Sequence, residues 1–122
     1  MASRPIDMTI VNNTDVGLKF GNPKAIHGET PSISSGSGTL QPNGGQCTVH
    51  AENSGLIGPQ GSFSFFFEDN SGRAFNFSYN HPMGTGETYV QPSSPSGYEA
   101  PITDNHLAHH DAYCTITLKK GS

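Results

Sequence analysis

The side chains richest in chemistry lie at 104–111, Asp104-Asn105-His106-Leu107-Ala108-His109-His110-Asp111, where three histidines fall within five residues and carboxylates flank them. Imidazoles beside carboxylates are ligands for Zn²⁺ or Ni²⁺, so His106, His109 and His110 form a candidate metal set. The stretch lacks the Glu of a His-Glu-x-x-His helix, and a loop fixes no coordination geometry. Solvated histidines account for the same residues, and no cofactor is expected. Catalysis fares worse. Serines are plentiful, yet none sits in a G-x-S-x-G elbow. Gly36-Ser37-Gly38 has no strand and helix around it to cradle a phosphate. Paired carboxylates could cleave glycosides, but the chain has no Trp to stack a sugar. No enzyme is expected.

A second candidate surface is the loop Asn80-His81-Pro82-Met83-Gly84. An apolar side chain after proline, between two strands, can stand out as an anchor. Tyrosine rings suit a membrane interface because the ring is apolar while the hydroxyl stays wet. Tyr79, His81, Pro82, Met83, Tyr89 and Tyr98 therefore make a candidate lipid-binding set. Packing of Met83 beneath its own loop competes with that reading.

These residues hang on a strand pattern centred on 61–84. Phe63, Phe65 and Phe67 alternate with Ser62, Ser64 and Glu68; Phe75, Phe77 and Tyr79 alternate with Ala74, Asn76 and Ser78. A period of two puts each triplet on one face of a strand and turns Phe66 outward. The turn Asp69-Asn70-Ser71-Gly72 joins the two as an antiparallel hairpin. Six rings on one side need an opposing layer.

The rest of the chain supplies it. Ile6, Met8 and Ile10 predict a first strand, and Val16, Leu18 and Phe20 a second, paired with the first across the turn Asn12-Asn13-Thr14-Asp15. The stretch 21–45 reads as loops with one short irregular strand, closed by the turn Pro42-Asn43-Gly44-Gly45. Cys47, Val49 and Ala51 alternate in the next strand. Strands are also expected within 85–91 and 98–103, with 92–97 as loop, and 112–118 closes the chain with Cys114, Ile116 and Leu118 on one face. About eight strands, frequent turns and no helix predict an all-β antiparallel sandwich.

At 122 residues the chain is expected to form one domain over 1–122. A chain of that size buries about two-thirds of its unfolded surface, enough for a core. The formal charge of −4 gives no electrostatic case for nucleic acid. No stretch approaches the ~20 apolar residues of a membrane span. The start, MASRPIDMTIV, lacks the apolar run of a signal peptide, so synthesis in the cytoplasm followed by release is expected. Two cysteines are too few for a disulfide scaffold. Cys47 and Cys114 sit at apolar alternating positions and read as buried thiols, with a bridge between them left open.

Taken together, these segments resemble an aegerolysin, nearest the small aegerolysin-like component of bacterial binary insecticidal toxins. The opening Ile10-Val11-Asn12-Asn13-Thr14 with Val16-Gly17-Leu18-Lys19-Phe20 is similar to the family's first hairpin. Val49-His50-Ala51-Glu52-Asn53-Ser54-Gly55 and Gly58-Pro59-Gln60-Gly61-Ser62-Phe63 resemble its strand, Gly-rich connection and strand. Phe77-Ser78-Tyr79-Asn80-His81-Pro82-Met83-Gly84 resembles its aromatic-Asp-x-Pro-aromatic segment, and Tyr113 to Leu118 its closing strand. The resemblance implies an aegerolysin or actinoporin-like sandwich that binds membrane lipid, often a sphingolipid. It also implies a larger protein partner for permeabilising target membranes, with a homo-oligomer as a further form. Insect gut cells are the implied target, and the site of action is extracellular. Tyr79 and Met83 stand where family members present Trp to lipid. A carbohydrate-binding lectin on a similar sandwich is the rival expectation.

Overall fold

Alternation decides the architecture. The computed structural model describes residues 4–53, 56–84 and 86–121. Their eleven strands are β1 (Ile6–Asn13), β2 (Leu18–His27), β3 (Ser32–Gly36), β4 (Thr39–Leu40), β5 (Gly45–Ala51), β6 (Gln60–Phe67), β7 (Ala74–Asn80), β8 (Tyr89–Ser93), β9 (Tyr98–Glu99), β10 (Ile102–His106) and β11 (Ala112–Lys120). They form two sheets packed face to face. One runs β10-β11-β1-β5-β3, with β9 beside the far part of β11; the other runs β4-β2-β6-β7-β8. Every pairing is antiparallel except β1 with β11, which run parallel, Ile6 opposite Ala112 and Ile10 opposite Ile116. The fold is an antiparallel-dominated β-sandwich, as expected.

The two inner faces differ in chemistry. β1, β5 and β11 bury Ile6, Met8, Ile10, Val49, Cys47, Cys114, Ile116 and Leu118. The facing sheet buries the predicted aromatic hairpin: Phe63 pairs with Phe77 and Phe65 with Phe75 across β6 and β7. Phe63 and Phe77 stack at 4.9 Å, and Phe65 meets each of them edge-on. An aliphatic layer thus packs on an aromatic one, which satisfies the need for an opposing layer.

Three expectations are corrected. β1 and β2 are not partners; β1 pairs β11 and β5, while β2 pairs β4 and β6. The turn between them changes sheets because the buried Asn12 side chain supplies the bonds a hairpin ladder would have made. Its Nδ2 donates to the carbonyl of Val16 at 2.8 Å and its Oδ1 accepts from the Thr14 N–H at 3.0 Å. Next, 21–45 is not mainly loop: β2 continues to His27, and β3 and β4 follow. A bulge at 21–24, where Asn22 takes φ 56°, breaks the register there. Finally, β8 carries Pro92 opposite Phe77 and runs to Ser93, inside a stretch predicted as loop. β8 lies at a sheet edge, where a residue lacking an N–H is tolerated. The start of the predicted 85–91 strand, Thr85, lies outside the described residues.

Cys47 and Cys114 are both free and buried. They sit on β5 and β11, on either side of β1, opposite Ile10 and Met8. Two strand spacings separate them by about 9.5 Å, beyond the ~7 Å Cα limit for a bridge. Burial pushes the Cys47 thiol up to about 11; burial, with the Asp104 charge, pushes Cys114 up to about 12.

Candidate functional site

The topology brings pieces of chain to one end of the sandwich: the start of β1 and the described residues of the connections, 28–31, 52–53 with 56–59, 81–84 with 86–88, and 107–111. Two of these connections display apolar side chains. Leu56 is 76% exposed and Ile57 54% exposed. With Pro82 and Met83 they line a concavity of about 350 Å³ that His27, Gly58, Gln60 and Asn80 complete. The arrangement is pinned from behind. The His81 N–H donates to the Pro59 carbonyl at 2.9 Å. Gly58 lies against the His81 carbonyl so closely that a Cβ would collide with it. Arg4 holds both loops, its backbone N–H donating to Asn53 Oδ1 and its Nε to the Pro82 carbonyl, each at 2.7 Å. Backbone this well tied lets a short apolar tip face water.

His81 is the tie between this tip and the histidine loop. Its ring is fully buried. Nε2 lies 2.7 Å from the His110 carbonyl, which can only accept, so Nε2 carries the proton and Nδ1 accepts from the Thr88 hydroxyl at 2.7 Å. Burial holds His81 below the ordinary histidine value; the bond to His110 and the Asp111 charge oppose that, while the Arg4 and His110 charges add to it.

His50 behaves in the opposite way. Its Nδ1 meets Asp7 Oδ1 at 2.8 Å and its Nε2 meets Glu52 Oε1 at 3.3 Å. Burial works against the charged ring, but the two carboxylates outweigh it and raise His50 above its usual value. The two histidines therefore give stability opposite pH dependences. His81 takes up its proton less readily folded than unfolded. Its contribution is whole above ~6.5 and is lost as pH falls through its lowered value. The His50 contribution is whole below ~6.5 and is lost as pH rises through its raised value. Melting temperatures across this range should show His81→Gln flattening the decline in acid and His50→Gln removing a gain there. Shifts of the same sign in both variants would contradict the assignment.

The three clustered histidines do not converge on a point. His106 belongs to β10 and stacks on Tyr113 at 4.4 Å, with its Nε2 2.9 Å from Asp104. His109 lies 6.1 Å from the Tyr113 ring, and His110 pairs with Asp111 at 2.9 Å. Among the described residues no group of three or more His, Cys, Asp or Glu side chains is placed to hold a metal ion. The metal candidate thus lacks a geometry.

The predicted lipid-binding residues separate into three groups. Pro82, Met83 and the exposed Tyr89 lie at the tip end. Tyr79 and His81 are at the same end but fully buried, so neither presents surface. Tyr98 is at the opposite end, edge-on to Phe67 at 5.0 Å and to Phe75 at 5.8 Å, and belongs to the core margin. Leu56 and Ile57 escaped the sequence reading. A Leu-Ile pair without alternation inside a glycine-rich connection was the available signal.

The Tyr79 hydroxyl is buried with no hydrogen-bond partner among the described residues, and burial pushes it up to about 12. It folds over Gly61, where a Cβ would collide with the Lys24 carbonyl and come within 2.6 Å of that hydroxyl. Tyr79→Phe should therefore leave thermal stability unchanged or raised, since it removes an unpaired polar group. Gly61→Ala should cost about 1–3 kcal/mol through overpacking against backbone. A large loss in Tyr79→Phe would reveal a bond at that hydroxyl.

A two-sheet sandwich with its apolar tip built from loops at one end is the class that fold and site define. No protein-family model matches the chain, and no curated protein does. Among solved structures, RahU in complex with a TRIS molecule is similar over 98% of this chain and 96% of its own, with TM-score 0.79 and 17% identity. IP-1A from Alcaligenes faecalis is similar over 98% and 92%, with TM-score 0.69 and 13% identity. The chain has an aegerolysin-like fold.

Proposed function

We propose that this protein is a membrane-lipid-binding toxin component that docks through the Leu56, Ile57, Pro82 and Met83 tip. It works beside a larger partner protein to permeabilise target cells, insect gut cells first among them. The observation that carries the reading is the tip itself: exposed Leu56 and Ile57 beside half-buried Pro82 and Met83, held by hydrogen bonds on the sandwich. Apolar side chains displayed on an ordered support mark a surface that meets an apolar partner. The aegerolysin-like fold adds support of a coarser kind. Action is extracellular, and the partner forms the larger part of the pore. A sphingolipid is the first lipid to try.

Co-sedimentation with vesicles of defined composition, sphingomyelin-containing vesicles included, tests the reading. Pelleting with vesicles that free sugars do not inhibit is the expected result. Agglutination of cells that sugars inhibit, with no vesicle binding, would sink it in favour of a lectin.

A further inference from the structure

The charges of this chain are distributed unevenly along the sandwich. The end away from the tip carries Asp15, Glu68, Asp69 and Glu99 against Lys19, Arg73, Lys119 and Lys120, a balance of zero. The tip end carries Asp7, Glu29, Glu52, Glu87, Asp104 and Asp111 against only Arg4 and Lys24. Six against two leaves −4, which is the whole formal charge of the chain. All six histidines are at this end too: His27 closes β2, His50 nearly closes β5, His106 closes β10, and His81, His109 and His110 lie in the connections. Sequence shows three of them clustered; the fold gathers the other three around the same tip.

We propose that acid turns this end of the sandwich into a docking surface for an anionic lipid bilayer, with protonated histidines ringing the apolar tip. The inference rests on the lipid-binding reading above and adds its regulation. With neutral imidazoles the tip is surrounded by a net −4, which repels an anionic surface and holds Leu56 and Met83 away from it. Five histidines reach water, and their protonation carries the end from −4 to +1; His81 is buried and stays out of the count. Asp7 and Glu52 flank His50, Asp104 meets His106, and Asp111 meets His110, so three of the five gain a carboxylate partner on charging. His109 meets the His106 and Tyr113 rings and shares a concavity with Arg4 and Glu87, one charge of each sign. His27 borders the concavity beside Leu56 and Met83, which puts one new charge at the tip's own rim. A basic residue near an anionic bilayer is attracted to it, and that attraction decays within a Debye length.

The test measures partition onto phosphatidylcholine vesicles with and without phosphatidylserine, at about pH 5 and about pH 7.5, on either side of the histidine range. Binding to the phosphatidylserine vesicles should strengthen roughly tenfold or more in acid, and high salt should remove the gain. Binding to pure phosphatidylcholine should change little. A variant with His106→Gln, His109→Gln and His110→Gln should keep its pH 7.5 behaviour and lose more than half of the acid gain. If that variant folds poorly, His27→Gln and His110→Gln, both exposed, should each remove part of it. An equal gain in native and variant chains, or no gain, overturns the inference. Tip-dependent binding to phosphatidylcholine at both pH values would then leave the lipid reading standing. An acid gain that survives Leu56→Asp with Met83→Asp would uphold the charge surface and remove the apolar tip as the lipid contact.

Discussion

Phe65→Ala is expected to destabilise the sandwich by about 3–5 kcal/mol, the usual range for an aromatic side chain deleted from a packed core. The ring is fully buried. It sits opposite Phe75, edge-on to Phe63 and Phe77, and tilted at 5.6 Å against Phe20. Removing it takes contacts from three rings on three strands, and their fixed backbone cannot collapse into the space. Phe66→Ser should cost much less. Phe66 is 39% exposed on the outer face, beside Gly21, and its loss opens no cavity. Equilibrium unfolding of the two variants in denaturant makes the comparison. Equal losses would mean that the strand presents its other face to the core.

The same alternation explains what could be read in the chain before folding. β6 and β7 each bury one face against a second sheet, so their side chains must alternate, and their register follows. β1, β5 and β11 are legible for the same reason. The later half of β2, with β3, buries almost nothing on either face, so no periodicity marks it, and β4 buries Leu40 but is too short to show a period. The β1–β2 corner misleads because Asn12-Asn13-Thr14-Asp15 has the composition of a hairpin turn. What separates it from one is where a single amide points, and that depends on the distant Leu40 and Gln41 carbonyls. Tyr79 shows a conflict already present in the sequence: its alternation with Phe77 places it inward, and the core outweighs a role at the surface. The gathering of His27, His50 and His81 with the clustered three could not be read at all. It follows from which strand ends share an end of the sandwich, and that is a property of topology.

Leu56→Asp combined with Met83→Asp is expected to reduce vesicle binding by about a thousandfold while leaving the melting temperature nearly unchanged. The magnitude follows from the tip's own chemistry. Moving a Leu or Met side chain from water into an apolar phase gains about 1.5–3 kcal/mol, so two together are worth about 4 kcal/mol, at 1.4 kcal/mol per tenfold. Two carboxylates at the interface add a desolvation cost on top of that loss. Stability should hardly respond, because Leu56 is three-quarters exposed and packs against nothing it would leave empty. Met83 is half-buried, so Met83→Asp alone reports any share it has in packing the loop. The ties behind the tip use none of the replaced atoms: His81 to His110, Arg4 to Pro82, and the His81 N–H to Pro59. Co-sedimentation and thermal unfolding on the same preparation separate the two effects. Undiminished binding in a folded double variant would place the contact surface elsewhere, and the exposed Tyr89 at the start of β8 would be the next side chain to replace.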